Sequence, residues 1–534
     1  MRDLSRTLLA FFAVLILNLF IASPKSQAAT ALYVAQAAAG AADGSSCANA
    51  KAVSALSGSW AAGNTIHLCG TITSVIQVGG NGTAANPIVL QWEQGAKLSV
   101  CDTNGALQIP NNSYVTVDLG GNSAAITCAN NGSGLSSQVE AIGITSNGTG
   151  WNQVEIRNGT VGPMFVYSGT SSGGFNSICI NGGNGANNTY VHNVSLTGCA
   201  EGIEIDPTSN TTDQFAHLTV DGSVGRVLNY ASGTSSAIAS TNSSFHDNDV
   251  NYTTVWSVPA GYQHYETLHI YNTGNSGSQD SIQNFQIYNN YFHGASPTNS
   301  GSTAMIFVGE GGSSCSASSY AEVKIFDNLI TDSGNSNNGF SSGTGSYIYS
   351  QDCEHTLSVY NNTIDAGSSS NACFRALNTA GTTGNSWTVK NNICIGANWS
   401  YYNDVNEPLT ASNNIYYNIG SGGWTVNGKT YNTLSSWQSA SGQDAASSTS
   451  APGLNSDYTV TGTASLAHSL PGVNLTSLNV AALDIGKPPS VGAASSATGT
   501  PRAASGSWDV GAYTLGSAQV TLPNAPTGLT ATVN

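Results

Sequence analysis

Charge is scarce in this chain. Of 534 residues, 13 are Lys or Arg and 29 are Asp or Glu, for a net charge of −16. No basic run occurs, which excludes nucleic acid as a partner. Acidic polymers would be repelled at long range unless a cation bridges them or a few arginines are concentrated in one place. No CxxC and no Cys/His ligand spacing appears, which argues against a zinc site. Long helical periods are also missing. Beyond the N-terminus no segment is apolar enough to cross a bilayer, so the mature chain has no predicted membrane span. Low charge does not mean disorder here, because 40% of residues are apolar and 22 Tyr and 9 Trp are spread along the chain. Gly, Ser, Thr and Asn supply an uncharged polar surface, as in a long all-β protein.

The N-terminus reads as a secretory signal peptide, residues 1–29. Arg2 and Arg6 precede an apolar run from Leu8 to Ala22, and small residues follow at Ser26-Gln27-Ala28-Ala29. The expected location is extracellular. Ten cysteines follow the signal, at 47, 69, 101, 128, 179, 199, 315, 353, 373 and 394. An even count in an exported chain points to disulfides. Paired as neighbours they lie 22, 27, 20, 38 and 21 residues apart, and loops of that size contribute about 3 kcal/mol each in the chain-entropy model.

From Leu98 to about Ile419 the chain is a series of short β-rich runs separated by Gly, Ser, Asn and Thr. One pattern returns: FQIYNNYFHG at 285, VKIFDNLITD at 323, LSVYNNTIDA at 357, WTVKNNICIG at 387 and LTASNNIYYN at 409. The second residues of the pairs are Asn290, Asn328, Asn362, Asn392 and Asn414, in steps of 38, 34, 30 and 22. The steps fit one coil of three short strands with variable loops. Such a coil cannot bury its own inner face, so coils must stack. Asn at a shared bend tolerates left-handed geometry and bonds its amide up and down the stack. Most Cys steps are about one coil long, so disulfides would tie neighbouring coils.

These repeats, with GIEID at 202, the segment from Gly63 to Val100 and the ending SWDVGAY at 507, resemble right-handed parallel β-helix proteins of the pectate-lyase-like superfamily. The likeness covers about residues 30–515. It implies an all-β solenoid of three-strand coils at 30–424 and an exported protein that acts on polysaccharides. Both ends of such a solenoid need covers. An Ala-rich stretch from Cys47 is expected to form a short capping helix. A second helix is expected at 431, with Asn432 as N-cap and Gly442 as stop. It opens a C-terminal extension, 425–515, expected to fold back on the last coils, and 516–534 reads as a linker-like tail.

Chemistry is sought among outward acids, bases and aromatics. In CAEGIEIDPT, inward Ile203 and Ile205 place Glu204 and Asp206 outward on one face, about 6.5 to 7 Å apart. The pair suits a shared Ca²⁺ or the acid and base roles of glycoside hydrolysis. In GYQHYETLHIYN, His264 and Glu266 share a face as a general-base pair, and His246, Asp247 and Asp249 lie one segment earlier. Tyr347 and Tyr349 share a face as a sugar-stacking platform, with Asp352 beside them. Arg375, inside an apolar strand, suits a sugar carboxylate or a lyase role. Asp280 and Glu310 are further outward acids. The expected function is a secreted, monomeric polysaccharide lyase or glycoside hydrolase. The alternative is a non-catalytic adhesive or glycan-binding β-helix. The two are separated by whether Glu204, Asp206, His264 and Arg375 converge in one cleft.

Overall fold

The computed structural model describes residues 30–128, 138–145, 153–164, 177–207, 211–232, 239–252, 266–272, 281–295, 304–310, 320–332, 345–352, 354–377, 385–403, 408–478 and 502–515. The expected signal peptide, His264, Asp280, Cys315, Cys353 and the tail from 516 lie outside them. Almost every strand pairs in parallel with the strand one coil away, in two sheets of 25 and 13 described strands. Parallel neighbours need a crossover, and such crossovers are right-handed in nearly all cases. The result is a right-handed parallel β-helix of three-strand coils.

One coil shows the plan. Strand Leu268–Asn272 lies on the 13-stranded sheet, here called face three. Residues 285–288 lie on face one, the chain bends at Asn289-Asn290, and Tyr291–His293 lies on face two. The next coil repeats this with Ala304–Glu310, residues 323–326 and Leu329–Thr331. Faces one and two form the 25-stranded sheet, because strands such as Val154–Met164 run through the bend. Alternation sends every second side chain inward. The inward rows stack like on like: Phe215, Phe245, Ile287 and Ile325 on face one; Val250, Phe292, Ile330 and Ile364 on face two; Ile203, Leu228, Leu268 and Ile306 on face three. All are fully buried, and each contributes about 1.5–3 kcal/mol by leaving water.

The bend divides its work between two residues. The first takes the left-handed conformation: Asn289, Asp327, Asn361, Asn391 and Asn413 have φ of 53, 52, 52, 59 and 59°. The second makes the ladder and is 1% exposed or less. Nδ2 of Asn248 donates to Oδ1 of Asn290 at 2.9 Å, Asn290 to Asn328 at 2.9 Å, and Asn328 to Asn362 at 2.9 Å. Asn362 donates to Asn392 at 3.0 Å, Asn392 to Asn414 at 3.2 Å, and Asn414 to the Asp444 carboxylate at 3.1 Å. Each Nδ2 also donates to a main-chain carbonyl of the coil before, as Asn290 does to Phe245 at 3.0 Å.

Disulfides Cys47–Cys69, Cys101–Cys128, Cys179–Cys199 and Cys373–Cys394 are formed, and the last lies within one coil, from the face-three strand Ala372–Leu377 to the face-two strand Ile393–Ile395. The N-terminal capping helix is not formed. Two 3₁₀ turns, Cys47–Asn49 and Val53–Ala55, flank the strand Lys51–Ala52, which pairs with Val34 and Ala35 of Ala31–Ala35. Edge pairing of the backbone outweighs the helix propensity of alanine. The later helix is Leu434–Ser441. Its N-cap is Thr433, whose hydroxyl accepts from the Ser436 N–H at 3.1 Å, and Gly442 ends it at φ 70°. After it the chain returns along the coils. Leu475 and Trp508 pack on Tyr288, Phe326 and Tyr360 of face one, while Val460, Ala467, Val510 and Tyr513 pack on Leu329, Ile393 and Ile415 of face two. Arg502 reaches the bend and pairs with Asp327 at 2.6 Å, both fully buried. Among the described residues no helix is long and apolar enough to cross a membrane.

Asn290→Ala removes a rung, taking the side-chain partner from the Phe245 carbonyl and from the Asn248 backbone N–H. We expect a loss of about 2–4 kcal/mol in chemical denaturation; an unchanged midpoint would refute the ladder's energetic role.

Candidate active site

Face three carries one outward row in unbroken register: Gly143, Asn181, Glu204, Asn229, His269, Phe307, Tyr349, Arg375 and Tyr402. Neighbours in such a row are about 4.8 Å apart. Glu204 and Asp206 are on strand Glu201–Ile205 and the residue after it, on either side of inward Ile205. Two acids join them that the sequence reading did not single out. Glu201 begins the same strand. Its carboxylate accepts from Arg226 Nη1 at 3.2 Å, with side chains 5% and 9% exposed. It also hydrogen-bonds the Glu204 carboxyl. Glu140, on Val139–Thr145, accepts from Asn181 Nδ2. The signal is a lone charge in an apolar run for Glu140, and for Glu201 a third acid in the same short segment as Glu204 and Asp206, in a chain where charge is rare.

The electrostatics follow from burial. Burial pushes Glu140 up to about 7 and the nearby Glu204 charge adds to this, while the Asn181 hydrogen bond opposes it. Burial and the charge of Glu204 push Asp206 up to about 7. Glu201 and Glu204 are raised as well, by burial first, with Arg226 pulling against it. Two carboxyls in contact share a proton rather than both ionise. The cluster thus holds protons near neutral pH while retaining one charge beside Arg226. Two acceptors in it are unspent: Oδ1 of Asp206 and Oδ1 of Asn229 are buried without a hydrogen-bond partner. The N-terminal end is fenced by the loop after Cys101. Position 143 is glycine because the Asn104 carbonyl crosses there, 2.1 Å from where a Cβ would stand.

Other expected positions do not join this cluster. Arg375 is in the same row but five strands from Glu204, about 24 Å away, and its guanidinium stands over Tyr349 and Tyr402 at 4.8 and 5.5 Å. Tyr347 and Tyr349 are not an exposed stacking platform. The Tyr347 hydroxyl donates to Asp332 at 2.7 Å, and Tyr349 stacks on Phe307 at 5.0 Å, the two tyrosines being 0% and 2% exposed. Glu266 is fully buried rather than outward, and its expected partner His264 is outside the described residues. Asp352 closes strand Ser346–Asp352, in register with Glu310. His246 belongs to face one, where it pairs with Asp247 at 2.7 Å, and Asp249 pairs with His293 at 2.6 Å. Among the described residues no group of three or more His, Cys, Asp or Glu is placed to hold a metal ion, and Ca²⁺ needs six to eight oxygens.

The raised acids set a pH dependence. Between about pH 4 and 7 folded Glu140 and Asp206 keep protons that the unfolded chain releases, so stability falls as pH rises through that window. Glu155, lowered on balance by its His192 and Arg157 contacts against burial, acts oppositely but only below about 4.5. The melting temperature should be higher at pH 5 than at pH 7.5, and Asp206→Asn should shrink the difference; a larger difference in the variant would contradict the assignment.

No protein-family model matches the chain, and no curated protein matches it. Among solved structures it is similar to a GH136 lacto-N-biosidase from Eubacterium ramulus. The native protein gives a TM-score of 0.34 at 11% identity over 74% of this chain and 67% of that one. The selenomethionine derivative gives 0.29 at 12% identity over 74% and 66%.

Proposed function

We propose that the chain is an exported carbohydrate-active enzyme, and that the acid cluster on face three hydrolyses a glycosidic bond. The observation that supports this reading is the carboxyl pair Glu204 and Asp206, side by side on one strand, with Asp206 pushed up to about 7. Glycoside hydrolysis needs one carboxyl that holds a proton near neutral pH and one that gives up its own. Asp206 donates its proton to the glycosidic oxygen as the bond to the anomeric carbon breaks. Glu204, as carboxylate, faces that carbon directly or through the water that adds to it. One water is consumed, and the proton returns to Asp206 through solvent. Glu201, tied to Arg226, holds the shared proton off Glu204 when the pair ionises. Asn181 and Asn229 flank Glu204 one rung on either side, where amides meet sugar hydroxyls.

β-Elimination is the weaker form of the reading. It requires a cation at the sugar carboxylate, and the cation of this cluster, Arg226, is already bound to Glu201. A likeness to the pectate-lyase-like superfamily belongs to the same proposal and adds the expectation of an extended polysaccharide as substrate.

The test is a panel of neutral and uronic polysaccharides, with and without calcium. New reducing ends without a conjugated double bond are expected. Glu204→Gln and Asp206→Asn should each lower kcat/KM by roughly 10²–10⁴-fold, and kcat/KM of the parent should fall above about pH 7. Unsaturated products would replace hydrolysis by elimination, and silence across the panel would leave the non-catalytic reading.

A further inference from the structure

Face one carries a second surface that the acid cluster does not explain. Its outward positions form a grid of two rows. The first row is Thr116, Glu155, Tyr190, Gln214, Ser244 and Gln286, in register across six coils. The second, two residues along each strand, is Asp118, Arg157, His192, Ala216, His246 and Tyr288. Two cavities lie over this grid, of about 470 and 430 Å³. Thr212 and Gln214 line both, so they are one groove that runs along the coils.

Different elements flank the two ends of the groove. At the N-terminal end the turn at Thr83–Pro87 and Tyr114 rise beside it. At the other end Tyr288, which lines the groove, is packed against Leu475 and Trp508 of the returning C-terminal extension. Between the ends six rungs span about 24 Å at the strand spacing. One rung is comparable in length to one sugar of an extended glycan.

The side chains suit an uncharged ligand. The one carboxylate of the first row, Glu155, accepts from His192 at 2.9 Å, Arg157 at 3.1 Å and Thr116 at 3.1 Å, and Arg157 also donates to Asp118 at 2.8 Å. Both carboxylates are thus paired within the wall, Asp118 with Arg157 and Glu155 with Arg157 and His192. The rest of the floor is hydroxyl and amide, which both donate and accept. Flat ring pairs stand at two places: Tyr190 on His192 at 4.2 Å, and His246 on Tyr288 at 4.6 Å. His192 and His246 are two rungs apart with Ala216 between them. The ring of His217, next to Ala216, stands edge-on to His246 at 6.3 Å, so the aromatic rings form a strip beside the first row, suited to stacking against sugar rings.

We infer that this groove is a binding site for a neutral oligosaccharide of about six units, on a different face from the acid cluster. It holds a glycan without cleaving it, because Glu155 is committed to Arg157 and His192. This inference does not rest on the hydrolytic reading, since binding is measured without turnover.

The experiment is titration calorimetry on the full mature chain carrying Glu204→Gln, so that no probe is consumed. The probes are cellohexaose, mannohexaose, xylohexaose and chitohexaose, with hexagalacturonate as the charged contrast. At least one neutral hexasaccharide should bind, its trisaccharide more weakly, and hexagalacturonate not at all. Tyr190→Ala and Gln214→Ala, added singly, should each raise Kd at least tenfold; Gln214 is exposed, so its variant keeps the fold if the tyrosine variant does not. The inference fails if no neutral hexasaccharide binds to either the Glu204→Gln chain or the parent. It also fails if Gln214→Ala leaves Kd unchanged, or if binding is seen in the parent and lost in Glu204→Gln.

Discussion

Everything in this structure depends on the stacking of one coil on the next. A single coil has an inner face that it cannot cover and a bend whose polar groups it cannot satisfy. The next coil does both. Apolar side chains stack in rows inside, and at the bend each ladder amide bonds one neighbour's side chain and the other neighbour's backbone. The bend is the harder requirement, because a buried amide without partners costs about as much as several apolar contacts contribute. Asparagine meets it with one donor group and one acceptor group pointing along the axis in opposite directions.

The sequence was informative where the repeat was informative. Five Asn or Asp pairs in an apolar frame showed the coil, the bend and the faces, and alternation around Ile203 and Ile205 put Glu204 and Asp206 side by side. What a repeat does not show is register over distance. Arg375 carried the right chemistry, but loops of unequal length hid that it is five coils from Glu204. Tyr347 and Tyr349 looked like a platform because alternation gives a side and not an exposure. Glu201 is hidden for a related reason. Strict alternation separates it from Glu204, and their contact arises at the strand start beside Gly202. The alanine-rich N-terminal stretch fails as a helix because an open sheet edge competes for its backbone. That competitor is a tertiary feature.

Scarce charge makes the acid cluster conspicuous. Elsewhere several described charges are paired: Arg157 between Asp118 and Glu155, Arg502 on Asp327 at the bend, Lys324 beside Glu322. On face three four carboxyls meet one arginine. Burial holds protons on this cluster that the unfolded chain would release.

The ladder also has a polarity. Every rung donates toward the C-terminal end and accepts from the N-terminal side, so its two ends need different chemistry. At the first rung Oδ1 of Asn248 takes the Leu218 N–H at 2.8 Å, and any backbone would serve. At the last, Asn414 still has a proton to give, and the group that receives it must accept without passing a proton on. Asp444 is such a terminus, and it also collects protons from Ser447, Trp437 and Tyr416. Coils can therefore be added or removed within the column at no cost to its bonding, while the carboxylate that stops it has no interchangeable copy. Length is free in this architecture, and the ending is fixed.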